Sequence, residues 1–164
     1  MDIELSLKLA ITISRSDCAN PQIFYLTIKL ITENQLKPEQ IRFEVIESVC
    51  IEQPELSIGL LIALHNLEVS ITIDDFDTGY SSLSYLTELP IDMFKIDRSF
   101  VQGIGINSQQ EMVINVIIDL AKRLSLTVLA NGIETQAQAD FLFESGCDFG
   151  QGNFTQNPVH IKTS

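Results

Sequence analysis

Short β-branched runs alternate along this chain with longer runs whose apolar residues recur at helical spacing. Leu7 to Ser14 (LKLAITIS) reads as a strand. Pro21 then opens a helix, IFYLTIKLITEN, in which Ile23, Leu26, Ile28 and Leu30 include helical spacings, and Lys37-Pro38-Glu39 breaks it. Ile41 to Ser48 (IRFEVIES) is a second strand with Ile41, Phe43 and Val45 on one face. Pro54 opens the next helix, with Leu56, Leu60, Leu64 and Leu67 along one stripe. Val69 to Ile73 is a strand ending in Asp74-Asp75, and a Gly/Ser/Thr-containing loop leads to a short helix near Ser82 to Leu89, stopped by Pro90. Met93 to Ile96 is a strand ending at Lys95-Ile96-Asp97. Asn107-Ser108 caps a long helix through Arg123, with Met112, Val116, Ile117 and Leu120 facing inward. Thr127 to Ala130 is a strand ended by Asn131-Gly132. Thr135 caps a helix that Gly146 closes, and Cys147 to Gly150 is a last short strand before a polar tail.

This βαβαβαβαβαβ order predicts a parallel sheet with crossover helices, either open and doubly wound or curled into a (β/α) barrel. No GxGxxG or Walker A loop follows a strand, which weakens the nucleotide-binding open-sheet options. Phe24, Phe100 and Phe141 are expected in the core, and His65 and His160 have no ligand pattern around them.

Composition narrows the partners more than the fold. The length of 164 residues suits one domain or a piece of a larger one, and 45% hydrophobic residues are ample for a core. A net charge of −12 argues against nucleic acid or an anionic membrane as partner. It leaves room for a small anionic ligand, because one metal ion or lysine reverses the field locally. Cys18, Cys50 and Cys147 are widely spaced, with no CxxC, and predict three reduced, buried thiols. The acidic start Met1-Asp2-Ile3-Glu4 is unlike a signal peptide, and no apolar run approaches the ~20 residues that span a bilayer, so a cytoplasmic protein is expected.

The chemistry-bearing residues gather at strand ends: Glu44 and Glu47, Asp74 and Asp75, Lys95 and Asp97, Asn131 and Glu134, and Gln151. In a parallel barrel the carboxyl ends of the strands share one rim, where active sites lie. Oxygen donors there suit hard cations such as Mg²⁺ or Mn²⁺, and two such ions could clamp a phosphodiester. Any one of these acids would ordinarily be a cap or loop residue; their repetition on successive strands is what points to a site.

Four blocks carry a family resemblance. Asp74 to Leu83 (DDFDTGYSSL) closely resembles the DDFGTGYSSL signature of the EAL family. FEVIES at Phe43 to Ser48 resembles the family's ExxE strand, LPIDMFKIDRSFV at Leu89 to Val101 its LPVDxLKIDRSFV block, and CDFGQGNF at Cys147 to Phe154 its CDYAQGYLF block. The resemblance covers roughly Leu9 to Pro158. It implies a TIM-type (β/α) barrel and hydrolysis of cyclic di-GMP to the linear dinucleotide with two divalent metals, Mg²⁺ or Mn²⁺. It implies metal-ligand positions at Glu44, Asp74 and Asp75. Lys95 matches the lysine that orients or activates the attacking water, and Gln151 a glutamine beside it. Glu47 matches the glutamate that holds the loop after the Asp pair, and Asp97 and Glu134 match acidic positions supporting the rim.

The departures from the pattern shape the functional expectation. The segment carrying Glu-Ala-Leu is absent, so residues 1–164 are expected to form a single partial EAL-type domain, an incomplete TIM-type barrel with parallel strands and crossover helices. The VNxS strand reads Ile11-Thr12-Ile13-Ser14, so Thr12 replaces a metal-binding asparagine. The EGVE block reads Asn131-Gly132-Ile133-Glu134, so Asn131 replaces a glutamate at the metal centre. The loop glycine is Asp77. These losses predict a degenerate domain without catalysis, acting as a regulatory or interaction module. Two alternatives stay open: a phosphodiesterase completed by a missing segment or partner chain, and a sensor that binds cyclic di-GMP without cleaving it. An unpaired barrel edge predicts self-association or a protein partner.

Overall fold

The computed structural model describes residues 9–52, 54–76, 86–154 and 159–160. They fall into two compact units: one runs to Thr72 and takes in residues 86–91, the other comprises residues 73–76 and those from Asp92 onward. The expected helix near Ser82 to Leu89 and the loop position Asp77 lie largely or wholly outside the described residues.

In the first unit, β1 (Leu9–Ile13) pairs in parallel with β2 (Ile41–Ile46), Leu9 opposite Ile41 and Ile13 opposite Val45. Between them run α1 (Arg15–Cys18), α2 (Gln22–Glu33) and a single 3₁₀ turn at Pro38–Gln40. Alternation in β2 is as the sequence predicts: Ile41, Phe43 and Val45 are buried, and Arg42, Glu44 and Ile46 are half-buried on the other face. The strand stops two residues earlier than expected, because Glu47 already begins α3 (Glu47–Glu52), which α4 (Pro54–His65) follows.

The apolar stripe expected on α4 is displaced. Ser57, Leu61 and Leu64 are buried, whereas Leu56 is 52% exposed. This helix is apolar on every side, so its sequence does not favour one face; contact with α3 decides. The Ser57 hydroxyl donates to the Val49 carbonyl of α3 at 3.4 Å, a close approach that a larger side chain would prevent.

β3 (Ser70–Asp74) begins in the first unit and ends in the second. The second unit continues with β4 (Met93–Ile96), α5 (Arg98–Gln102), α6 (Ser108–Arg123), β5 (Thr127–Asn131), α7 (Gln136–Ser145), β6 (Phe149–Gln151) and β7 (Val159–His160). β4, β5 and β6 are parallel neighbours, and β7, which the sequence reading left in the tail, runs antiparallel to β6.

The caps follow the sequence. Asn107 Oδ1 accepts from the Gln109 N–H at 3.0 Å to start α6. Thr135 and Gln138 form a reciprocal capping box on α7, and Gly146 ends that helix in the left-handed conformation. On α6 the buried residues are Ile114, Ile117, Ile118 and Ala121; of the four expected inside, Met112 is 66% and Val116 49% exposed. The fully buried aromatic pair is Phe76 and Phe94, stacked with ring centroids 4.3 Å apart, while Phe24, Phe100 and Phe141 are only half-buried. Cys18, Cys50 and Cys147 are free and buried, as expected. Among the described residues no helix is long and apolar enough to cross a membrane.

Candidate functional site

The second unit gathers most of the candidate residues at the carboxyl ends of its strands. Strand register places them: Lys95 pairs with Leu129, and Asn131, two residues on, pairs with Gln151. Side chains alternate along a strand, and paired residues of parallel neighbours share a face. Lys95, Asn131 and Gln151 therefore stand on one face near the strand ends, and all three are half-buried.

Asp74 closes β3 and meets Lys95 directly. The ammonium donates to Asp74 Oδ2 at 2.8 Å, with 13% of the lysine and 20% of the aspartate side chain exposed. The other carboxylate oxygen, Oδ1, accepts from the Asp75 N–H at 2.9 Å. Asp75 takes a left-handed backbone with φ of 53°, uncommon for a residue with a Cβ but best tolerated by Asp and Asn. Phe76, buried against Phe94, anchors the chain just beyond this turn. Burial, then the charges of Asp74 and Asp97, push the Asp75 carboxyl above its ordinary range, and Lys95 offsets this only in part.

Asp97 and Glu134 are tied to the protein itself. Asp97 caps α5, accepting from the Ser99 N–H at 2.8 Å. Burial raises its carboxyl, but hydrogen bonds from Ser99 and the Arg98 N–H, with the Lys95 charge, outweigh that and leave it below its usual range. Glu134 is ion-paired with Arg98. Arg98 escaped the sequence reading as a candidate, although it stands inside the KIDRSF segment that drew attention to Lys95 and Asp97.

Arg98 also lies over Gly132, whose φ is 83° and where an added Cβ would come within 2.3 Å of the arginine Cγ. Arg98, Asn131, Gly132, Glu134, Gln151, Gly152 and Asn153 line a cavity of about 600 Å³. Its walls are held by main-chain bonds: the N–H groups of Gly132 and Ile133 both donate to the Gln151 carbonyl, at 2.7 and 3.1 Å, and Phe154 N–H donates to the Ile133 carbonyl at 3.1 Å. Gly152 passes so close that a Cβ would meet the Ile133 carbonyl oxygen at 2.2 Å.

The first unit holds the remaining candidates. Thr12 and Glu44 are register partners on β1 and β2 and share a face, Thr12 exposed and Glu44 half-buried. Glu47, the first residue of α3, is 7% exposed.

Known proteins resemble this chain in sequence and in fold. The EAL domain family matches residues 2–158. The signalling protein YkoW of Bacillus subtilis is 39% identical over 153 residues, 93% of this chain and 19% of its own length. The chain spans about a fifth of the length of the curated relatives it matches. A solved structure described as the PaMucR phosphodiesterase in complex with c-di-GMP superposes with a TM-score of 0.87 at 33% identity, over 93% of this chain and 62% of that one. A manganese and cyclic di-GMP complex of Klebsiella pneumoniae BlrP1 gives a TM-score of 0.81 at 29% identity, over 94% and 40%. The α/β fold is thus that of an incomplete TIM-type barrel, with parallel strands and crossover helices. The chain belongs to the EAL domain family.

Proposed function

We propose that residues 1–164 are a single partial EAL-type domain of cyclic di-GMP signalling that does not hydrolyse the dinucleotide and acts as a regulatory or interaction module. One observation carries this reading. Asn131, where the EAL pattern has a glutamate, stands on the face that also bears Lys95 and Gln151. A neutral amide there supplies one oxygen and no charge where a metal centre needs both.

The metal positions proposed for this chain are Glu44, Asp74 and Asp75, with Thr12 and Asn131 as the weakened ones. Lys95, Gln151 and Glu47 occupy the positions of catalytic groups. The donors of the second unit do not fit a two-metal centre: Asp74 uses one oxygen on Lys95 and the other on the Asp75 N–H, and Asn131 brings no charge. What these residues can do is orient a phosphate: Lys95, Gln151 and Asn131 all offer N–H donors along one face.

A second reading is a metal-dependent phosphodiesterase completed by a further segment or partner chain. The retention of Glu44, Asp74, Asp75, Lys95 and Gln151 favours it. A third, a non-hydrolysing sensor, keeps the ligand but not the reaction. The three buried free thiols suit a reducing compartment, and we place the domain in the cytoplasm. Self-association or a protein partner is the expected mode of action.

Titration of cyclic di-GMP with Mg²⁺ or Mn²⁺ present, followed by chromatography of the products, tests the readings. No linear product is expected. Binding heat without product would move the domain to the sensor reading, and linear product would overturn the loss of catalysis. Sedimentation at several concentrations tests the interaction role; a monomer throughout would count against self-association.

A further inference from the structure

The acids at the strand ends of the second unit share a property that the loss of ligands does not by itself require: three of the four already have internal partners. Asp74 holds the Lys95 ammonium, Glu134 the Arg98 guanidinium, and Asp97 the Ser99 N–H. The first contact is the most consequential. A divalent ion ligating Asp74 Oδ2 would have to displace an ammonium 2.8 Å away or bear its repulsion in a largely buried place. The opposite oxygen of the same carboxylate is engaged by the Asp75 N–H at 2.9 Å. Asn131 adds no negative charge to offset either cation.

We infer that Lys95 is the resident counter-cation of this rim, standing on Asp74 in place of a divalent ion, so that the rim is charge-compensated from within and independent of metal. The inference rests on the proposed loss of catalysis and extends it: the domain lacks the metal demand of an active enzyme as well as its turnover. An anionic phosphate would then be met by the amides of Asn131 and Gln151.

The test uses Mn²⁺ alone, titrated into the full chain and read by the electron paramagnetic resonance of the free ion. The native protein is expected to bind Mn²⁺ weakly. Lys95→Met removes the ammonium and is expected to tighten binding at least ~10-fold, while Lys95→Arg keeps the charge and stays within ~3-fold of native. Asp74→Asn gives an independent reading should Lys95→Met fail to fold. If Lys95 already occupies Asp74, this variant changes native Mn²⁺ affinity by less than ~3-fold; if Asp74 is a ligand, affinity collapses. Tight stoichiometric Mn²⁺ binding by the native chain, or equal affinity in Lys95→Met, would overturn the inference. The two ideas fail separately: tight Mn²⁺ binding without hydrolysis removes only this one, and linear product removes the loss of catalysis.

Discussion

Gly152 is fixed by what surrounds it. Its missing Cβ is the space occupied by the Ile133 carbonyl, which itself accepts from Phe154 N–H. Gly152→Ala must push main chain aside, so a loss of about 2 kcal/mol is expected in urea unfolding. An unchanged midpoint would mean that the two segments separate without cost. The buried thiols give a second expectation. Burial, then the charges of Cys18 and Glu47, push Cys50 up to about 12, and burial takes Cys147 to about 12. An unfolded thiol ionises near ~8.5, so above that pH the unfolded chain releases protons that the folded one keeps. Stability should be full below pH ~8.5 and fall as pH rises toward 12, more steeply than in a Cys50→Ser, Cys147→Ser variant. At this scale the sequence was informative wherever a side chain's chemistry is peculiar to its place. It marked Lys95, the Asp pair and Gln151, but not Arg98, because an arginine beside an aspartate at a strand end looks like any solvated charge.

Helices show where sequence pattern stops. α6 carries two neighbouring apolar stripes: one through Met112, Val116 and Leu120, the other through Ile114, Ile117, Ile118 and Ala121. Periodicity identifies the helix but cannot choose between stripes a fraction of a turn apart; contact with β4 and β5 does. Ile117→Ala is therefore expected to cost about 3 kcal/mol, and Met112→Ala less than about 0.5. Equal losses in thermal unfolding would return the helix to the orientation read from the sequence. Strands were more legible, because a period of two leaves only two faces and alternating apolar residues mark the buried one, as Ile41, Phe43 and Val45 do in β2. The short helices α1, α3 and α5 were missed because one turn of helix holds too few apolar positions to show a period.

The whole molecule is strongly acidic, with net charge −12 and an isoelectric point near 4.4. Mutual repulsion opposes non-specific clumping at neutral pH and disappears as the carboxylates protonate. Turbidity should peak near pH 4.4 and be shifted upward by acid-to-amide substitutions on exposed helix faces. A clear solution through that pH would show that repulsion is not what limits association. Alternation of strands and helices was readable across the described residues, since each crossover between parallel neighbours needs its helix. The antiparallel β7 was not, because two residues give no alternation to detect.

The Gln151 carbonyl accepts from two successive amides, and the segment it belongs to continues into Phe154, which donates back to Ile133. Three protons are thus guarded by one local joint. In hydrogen–deuterium exchange the amides of Gly132, Ile133 and Phe154 should share a single opening event and exchange with matching protection, so that their timing reports how often this end of the domain comes apart.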